Sequence, residues 1–419
     1  MGPDVDIDGA SIDSRTIGAG ELFVPIVAER DGHDFIEAAL TGGARVYFTE
    51  RDPEGGSAIV VPDSNLALTR LASSARDRLT GQVVGVTGSV GKTSVKDLIA
   101  AAVGPARRVH ANPASFNNEL GLPLTLVNAP DDTEVAVLEM GARGPGHVAH
   151  LCSIARPTIG VVTRVAGAHT ELFGSLENVA KAKAELVDAL PADGYAVLNA
   201  DDVRVAAMAA RTEARVITFG LGGDIRPVGI ELDESLRPSF DLDTPSGRIH
   251  IDLQLAGAHM AVNAAAAVAV GLAAGVELES LVDGLDSATP SRWRMEVETA
   301  PSGLLVINDS YNANPTSVRA ALAAMATLDR PQRIAVLGVM AELGPEHAAE
   351  HRAIADEANE LAVRVIAVAA PEYGPDVEHV ADVESAAEAL GELGGDAAVL
   401  VKGSRVAGLE RLAAVLAAR

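Results

Sequence analysis

The most specific pattern in this chain is Gly85-Val-Thr-Gly-Ser-Val-Gly-Lys-Thr93, a glycine-rich loop that joins a valine-rich run to an apolar helical segment. Backbone amides in such a loop can bind phosphates, its lysine can reach the β and γ phosphates, and its threonine can hold Mg²⁺. The spacing departs from the usual form, because Val86 stands where the first glycine is expected. The loop still predicts a nucleotide triphosphate site within a parallel α/β sheet, formed by Gly88, Ser89, Gly91, Lys92, Thr93 and Ser94.

Short aliphatic runs alternate with alanine-rich helical segments along the whole chain, a pattern typical of parallel α/β sheets. Residues 1–80 form a small α/β unit, with strands predicted at 46–48 and 58–61. Residues 81–296 begin with the strand and loop of the nucleotide site, and residues 297–419 have the pattern of a separate Rossmann-like unit. We therefore expect an α/β protein of three domains.

Composition narrows the class of protein. Of the 419 residues, 48% are hydrophobic and 22% charged, which suffices to fill ordinary globular cores. The single cysteine, Cys152, excludes a disulfide framework and fits a reducing compartment. The acidic N-terminus lacks the features of a secretory signal, and the most apolar stretch, 261–276, is too short for a membrane span, so we expect a cytoplasmic protein. A net charge of −25 opposes binding to nucleic acid or anionic membranes.

Lysine is scarce, because arginine supplies nearly all of the 33 basic residues. The lysines are Lys92, Lys96, Lys181, Lys183 and Lys402. Residues 175–190 predict a helix on which Lys183 falls near the centre of the apolar face, whereas Lys181 points the opposite way. Desolvation would leave Lys183 a neutral amine suited to Schiff base chemistry or to a metal-binding carbamate; the alternative is a lysine that extends past its apolar neighbours or pairs with a buried carboxylate. We expect Lys96 and Lys181 to be ordinary solvated residues.

Further candidates follow predicted strands, where α/β folds bind ligands. Glu139 and His169 lie at such positions and could bind Mg²⁺ with Thr93, although each alone fits a structural role equally well. Asp309-Ser-Tyr-Asn-Ala-Asn-Pro315 also follows a strand, with its second asparagine predicted to cap a helix. Lys402-Gly-Ser-Arg405 predicts an anion site at a helix N-terminus.

In this order, the motifs resemble those of the Mur ligases, the ATP-dependent enzymes that add amino acids during peptidoglycan synthesis. The resemblance spans nearly the whole chain and rests on Asp13-Ser-Arg15, Asp31-Gly-His-Asp-Phe35, Thr87-Gly-Ser-Val-Gly-Lys-Thr93, Asn117-Asn-Glu-Leu-Gly-Leu-Pro123, Glu139-Met-Gly141, Ala168-His169, Ala182-Lys183, Asp309-Ser-Tyr-Asn-Ala-Asn-Pro315, Glu342-Leu-Gly344 and Lys402-Gly-Ser-Arg405. The Asn-Ala-Asn-Pro and Asp-Gly-His-Asp-Phe segments point to the members that add D-alanyl-D-alanine.

The resemblance implies an N-terminal domain for the UDP-sugar, here short, a central ATP-binding domain, and a C-terminal domain for the amino substrate. It implies a monomeric cytoplasmic ligase that joins D-alanyl-D-alanine to UDP-N-acetylmuramoyl-tripeptide through an acyl phosphate, with ATP and two Mg²⁺ ions as cofactors. The family would also accommodate another amide ligase as an alternative: a sibling in the pathway, a folylpolyglutamate synthase-like enzyme or one from specialised metabolism. A nucleotide-binding ATPase that forms no amide is a third possibility, although it would need neither Lys183 nor the two C-terminal turns.

The resemblance also assigns roles to residues. The catalytic group would comprise Lys92, which binds the ATP phosphates, together with Glu139, His169 and Lys183. Thr93, Glu139, His169 and a carbamylated Lys183 would hold Mg²⁺. Further nucleotide contacts would come from Asn263 at the adenine and from Arg294 and Asp309 at the phosphate and ribose. The substrate contacts would be Ser14 and Arg15 at the uridine, and Asn117, Asn118, Tyr311, Asn312, Asn314, Lys402, Ser404 and Arg405.

Overall fold

The computed structural model describes residues 5–53, 55–113, 115–167 and 173–419. Within these residues the strands form four sheets, and two of the sheets have six strands each. Apolar side chains cluster on both faces of each six-stranded sheet, beneath helices. The predicted α/β class is therefore confirmed.

The first sheet is small and parallel, with its strands in chain order. Its elements are β1 (Ala10–Ser11), β2 (Leu22–Phe23), α1 (Ile36–Gly42), β3 (Val46–Thr49), β4 (Ala58–Val60) and α2 (Ser64–Arg78). Both predicted strands are present. The pattern gave no sign of β1 and β2, because two residues are too few to show a period. Asn128 attaches β1 to the next part of the chain, since its side chain forms hydrogen bonds of 2.7 and 2.9 Å with the amide and carbonyl of Ala10.

The second sheet is entirely parallel and has the order β10-β9-β8-β5-β7-β6. Its strands are β5 (Gln82–Thr87), β6 (Val109–Ala111), β7 (Val135–Glu139), β8 (Ile159–Val162), β9 (Tyr195–Asn199) and β10 (Arg215–Phe219). The helices of this part are α3 (Lys92–Val103), α4 (Gly121–Val127), α5 (His147–Ala155), α6 (Leu176–Asp188), α7 (Val203–Ala206), α8 (His259–Ala273) and α9 (Leu278–Asp286). Helix α8 is buried along most of its length, as its run of alanines predicts. Within the described ranges no helix is long and apolar enough to cross a membrane.

The third sheet departs from the expected parallel pattern. It is a three-stranded antiparallel sheet of β11 (Arg226–Leu232), β12 (Pro238–Thr244) and β13 (Gly247–Asp252). Apolar and polar residues alternate along β12, and this side-chain period places Phe240 and Leu242 in the core while the intervening aspartates face outward. The expectation of parallel strands from end to end was therefore wrong here.

The fourth sheet has the order β14-β15-β19-β16-β17-β18, and its strands are parallel apart from β14. Its strands are β14 (Glu296–Thr299), β15 (Leu305–Asp309), β16 (Gln332–Leu337), β17 (Arg364–Val368), β18 (Glu378–Val380) and β19 (Ala397–Lys402). Its helices are α10 (Pro315–Ala326), α11 (His347–Glu360), α12 (Val383–Leu390) and α13 (Glu410–Ala417). Strand β19 lies between β15 and β16, so the last strand of the chain occupies the centre of the sheet.

The linker of residues 291–295 connects the second part of the chain to the fourth sheet. Trp293 and Met295 adopt φ angles of 62° and 50°, which is a left-handed backbone that costs about 1 kcal/mol or more for a residue with a side chain. The guanidinium carbons of Arg292 and Arg405 lie 4.7 and 4.2 Å from the centroid of the Trp293 ring. Cation–π contacts thus help to hold the linker in this shape.

Candidate active site

The glycine loop has the shape that phosphate binding requires. Gly91, with φ 84°, caps α3, so the helix begins at Lys92 with its free amides directed toward the loop. Gly88 is indispensable, because a Cβ there would lie 2.0 Å from Thr163 Oγ1 and the φ angle is 147°. Ser89 attaches the loop to the end of β8, since its amide donates to the Arg164 carbonyl at 2.7 Å. The loop is therefore preformed by its neighbours.

The structure brings two predicted metal ligands together. Thr93 Oγ1 donates to Glu139 Oε2 at 2.7 Å, and Asn117 Nδ2 donates to Glu139 Oε1 at the same distance. The Glu139 side chain is buried at the end of β7, and its backbone amide donates to Asn112 Oδ1 at 2.8 Å. Arg294 reaches the same point from the linker and donates to Thr93 Oγ1 at 3.0 Å. A carboxylate, a hydroxyl and a guanidinium thus meet at the start of α3.

Lys183 is buried, as the phase of its helix predicts, while Lys181 is exposed. Burial lowers the pKa of Lys183 to about 7, and the charge of Lys92 contributes in the same direction. Burial also lowers the pKa of Lys92, against the opposing effect of Glu139. Among the described residues no hydrogen bond or ion pair is formed by the Lys183 amine, while the carboxylates of Glu185 and Glu139 oppose the lowering of its pKa.

Both lysines line a cleft of about 460 Å³. Its wall also contains Asn117, Asn118, Glu119, Gly141, Ala142, Arg143, Gly146, His147, His150, Leu151 and Glu342. Glu342 belongs to the part of the chain that carries the fourth sheet, so the cleft lies between two parts of the molecule. The basic side chains of Lys92 and Arg143 line this cleft and would attract an anionic ligand.

The predicted adenine contact and the remaining predicted metal ligand have different outcomes. Asn263, on α8, faces the loop, with its Oδ1 3.2 Å from the position that a Cβ would take on Gly91. His169 lies outside the described residues. Within those residues no three histidine, cysteine, aspartate or glutamate side chains converge as a metal cluster.

Asp309 and Lys402 form a buried ion pair across adjacent strands. They are register partners on β15 and β19, and the Lys402 amine contacts the Asp309 carboxylate directly. Lys402 also donates to the Asn312 carbonyl at 3.0 Å, while Asp309 accepts the Met295 amide at 3.2 Å. In this structure the charge of Lys402 has a partner inside the protein, and the anion site predicted at this turn stays a prediction. The pair fixes the turn that follows β15.

The other predicted residues of this turn have distinct contacts. Tyr311 donates to Ser115 Oγ at 2.7 Å and lies under the guanidinium of Arg294, 4.1 Å from its ring centroid. Asn314 caps α10 and Pro315 begins the helix, as predicted. The remaining two side chains follow β19: Ser404 accepts the Ala341 amide at 2.9 Å, and Arg405 is exposed against Trp293.

At the opposite end of the chain, Ser14 is partly buried and Arg15 is exposed, with its guanidinium 2.6 Å from Asp13. Closer to the core, His33 is buried and its Nδ1 lies 2.7 Å from Asp31. Asp31 also pairs with Arg51, which leaves this polar cluster largely satisfied internally.

Sequence reasoning missed two residues of the site. Lys96 was expected to be solvated, yet it is buried, with its amine against the Asn112 carbonyl and the Asp97 carboxylate. Asn112 was not considered, although it follows β6 directly and the rule that ligands lie beyond strand ends would have selected it. Its side chain supports Glu139, as described above.

Comparison with known proteins adds the identity of the fold. Residues 86–271 match the Mur ligase middle domain, and residues 293–405 match the Mur ligase, glutamate ligase domain. A relative from Mycobacterium tuberculosis, named UDP-N-acetylmuramoyl-tripeptide–D-alanyl-D-alanine ligase, is 43% identical over 386 residues, covering 84% of this chain and 75% of the relative. The Escherichia coli protein of the same name is 34% identical over 433 residues and covers 99% and 95%.

Solved structures of MurF proteins superpose on this chain over nearly its whole length. MurF from Acinetobacter baumannii superposes with a TM-score of 0.89 at 30% identity, covering 99% of this chain and 94% of that one. MurF from Thermotoga maritima, solved in complex with ADP, gives a TM-score of 0.86 at 29% identity and covers 96% of both chains. The nucleotide loop, the three-part architecture and the matched domains define an ATP-dependent, amide-forming ligase. The chain belongs to the Mur ligase family, in the branch of the UDP-N-acetylmuramoyl-tripeptide–D-alanyl-D-alanine ligases.

Proposed function

We propose that this protein joins D-alanyl-D-alanine to UDP-N-acetylmuramoyl-tripeptide with ATP, through an acyl phosphate, and so forms the pentapeptide precursor of peptidoglycan. The observation that carries the proposal is the cleft in which Lys92 and Lys183 lie beside the Thr93–Glu139 contact, in a chain whose relatives bear this name. We further propose that residues 1–80 bind the UDP-sugar, 81–296 bind ATP and 297–419 bind the amino substrate.

The residues beside the cleft fit Mg²⁺. The hydroxyl of Thr93 and the carboxylate of Glu139 are hard oxygen donors 2.7 Å apart, and Mg²⁺ prefers such donors together with phosphate oxygens. In this proposal two Mg²⁺ ions would be held by Thr93, Glu139, His169 and a carbamate on Lys183, and would supply charge neutralisation between two anionic substrates. The neutral amine that burial favours at Lys183 is the form that reacts with CO₂.

The chain's own groups would act by position and charge. Lys92 would place its ammonium among the ATP phosphates, and the free amides at the start of α3 would hold the same oxygens. The substrate carboxylate must come within bonding distance of the γ phosphorus before any bond forms, so holding the two anions together accounts for most of the expected acceleration. Asn263 would then contact the adenine, and Arg294 and Asp309 the phosphate and ribose.

We propose one group of substrate contacts near the N-terminus and a second group elsewhere in the chain. Ser14 and Arg15 would contact the uridine. The remaining proposed contacts are Asn117, Asn118, Tyr311, Asn312, Asn314, Ser404 and Arg405, to which Lys402 contributes indirectly by fixing Asp309 and the Asn312 carbonyl. We propose a monomer that acts in the cytoplasm, and size-exclusion chromatography with light scattering at micromolar concentration tests the monomer.

A ligation assay tests the function directly. Purified protein with ATP, Mg²⁺, UDP-muramoyl-tripeptide and D-alanyl-D-alanine is expected to yield the pentapeptide product, identified by mass, and stoichiometric ADP. Parallel reactions with single amino acids or a folate acceptor separate this function from the other amide ligases of the fold. ADP release without any amide product, under every divalent metal tried, would contradict the proposal.

The carbamate has its own test. Lys183→Ala is expected to abolish ligation and to regain part of its activity with added bicarbonate, whereas Lys181→Ala, on the exposed side of the same helix, is expected to stay near wild type. Wild-type protein prepared with ¹³C-bicarbonate is expected to show a carbamate carbon by NMR that Lys183→Ala lacks. Equal losses in both alanine variants would remove the carbamate from the proposal.

A further inference from the structure

Lys96 is a buried cation for which the proposed chemistry has no use. Its side chain is 4% exposed, its Nζ lies 2.7 Å from Asp97 Oδ1, and it donates to the Asn112 carbonyl at 2.7 Å. A buried ammonium is strongly unfavourable without such partners. Two chains of contacts begin at Lys96, a first path through Asn112 and a second path through Asp97. Both end at Thr93.

The first path runs through Asn112. Its carbonyl accepts from Lys96, and its Oδ1 accepts the backbone amide of Glu139 at 2.8 Å. Its Nδ2 donates to the Phe116 carbonyl at 3.3 Å. Asn112 is therefore fixed on three sides, and it determines where β7 ends and where the Glu139 carboxylate meets Thr93. Without Lys96, the Asn112 carbonyl would lose its hydrogen-bond donor.

The second path runs through Asp97 and the interdomain linker. Ser291 Oγ donates to the Asp97 carboxylate, and the Ser291 carbonyl accepts the Arg294 amide at 3.2 Å. The Arg294 guanidinium in turn donates to Thr93 Oγ1 at 3.0 Å. Because Thr93 precedes Lys96 by one turn of α3, the contacts form a closed ring that joins the loop, the end of β7 and the linker.

We propose that Lys96 is a positioning residue of the nucleotide site, which holds Glu139 through Asn112 and Arg294 through Asp97 and Ser291. This role rests on the proposed function, since it takes Thr93, Glu139 and Arg294 as the groups that bind MgATP. Lys96 touches no ligand itself. A compact ammonium suits the space between a carbonyl and a carboxylate better than the planar fork of an arginine, which accounts for a lysine at this position in an arginine-rich chain.

The test measures binding of Mg²⁺ and ADP by calorimetry, with the melting temperature recorded beside it. Lys96→Met is expected to weaken Mg·ADP binding by about 10- to 100-fold, the usual effect of removing a group that orients a metal ligand. Lys96→Arg keeps the charge and is expected to recover part of that loss, and the exposed control Lys181→Met is expected to bind as wild type does. A Lys96→Met protein that melts earlier but binds Mg·ADP normally would overturn the proposal.

If Lys96→Met does not fold, variants of Asn112 and Ser291 test the positioning role instead. Asn112→Ala is expected to raise the Mg²⁺ concentration that gives half-maximal ligation, because Glu139 loses its support. Ser291→Ala is expected to raise KM for ATP with little change in kcat, because Arg294 loses its anchor. A purely structural role would lower the amount of active protein in both variants and move neither constant, and that outcome would refute the positioning role.

The two proposals fail in different ways. A wild-type protein that binds Mg·ADP but does not ligate D-alanyl-D-alanine would contradict the proposed function, while the Mg·ADP titrations of the Lys96 variants would still report on positioning. An active wild type whose Mg²⁺ and ATP constants are insensitive to Lys96, Asn112 and Ser291 would contradict the positioning role alone.

Discussion

Replacing Lys183 by methionine is expected to stabilise the protein while it removes activity, and the gain depends on pH. The pKa of Lys183 falls from its ordinary value of 10.5 to about 7 on folding. The folded protein therefore binds fewer protons than the unfolded chain between these values, so stability rises with pH across that window. At roughly 1.4 kcal/mol for each tenfold change, burying Lys183 costs about 5 kcal/mol at pH 6.5 and about 2 kcal/mol at pH 9.

The advantage of Lys183→Met over wild type should therefore shrink by about 3 kcal/mol between pH 6.5 and pH 9. Urea denaturation in CO₂-free buffer at both pH values measures this difference in the free energy of unfolding. The relevant transition is that of the domain that contains α6. Lys181→Met, which alters an exposed lysine on the same helix, provides the matched control and should show no such change with pH. An equal stability difference at both pH values would mean that Lys183 keeps an ordinary pKa, and the argument for a neutral amine would be refuted.

Three other predictions concern the loop, the ion pair and the thiol. Gly88→Ala is expected to abolish ADP binding in calorimetry, because its Cβ would lie 2.0 Å from Thr163 Oγ1, whereas Gly222→Ala has room and should bind normally; normal binding by both would contradict the preformed loop. Asp309→Asn should destabilise by about 3 kcal/mol in denaturation because Lys402 is left charged and unpaired, and adding Lys402→Met should restore part of the loss; a merely additive double variant would contradict this. Cys152, whose pKa burial raises to about 12, should react with iodoacetamide only after denaturation, and rapid labelling of the native protein at pH 8 would disprove its burial.

Local pattern was enough to predict the nucleotide loop and the difference between Lys183 and Lys181. A strand, a glycine turn and the start of a helix follow one another within about a dozen residues here, so neighbouring residues suffice to predict the loop. The helix of Lys183 has one apolar face, and its phase alone decides which lysine is covered. These predictions needed no knowledge of distant residues.

Neither the burial of Lys96 nor the partner of Lys402 could be predicted in the same way. Lys96 is buried with its amine against the carbonyl of Asn112, which lies beyond the next strand of the sheet, so its burial depends on tertiary packing. The partner of Lys402 is Asp309, and the two meet because β19 inserts between β15 and β16. The alternation of apolar and polar residues predicts where strands lie in the sequence. It does not predict which strands are neighbours in a sheet.

The unequal burial of the five lysines has a practical consequence for conjugation chemistry. Lys96, Lys183 and Lys402 are buried and Lys92 is partly enclosed by the cleft, so Lys181 alone among them extends freely into solvent. An amine-reactive dye at limiting concentration should therefore attach to Lys181 in preference to the other four lysines. Among the lysines, a tether or a fluorescent tag would then lie at one defined point on α6, on the face opposite Lys183.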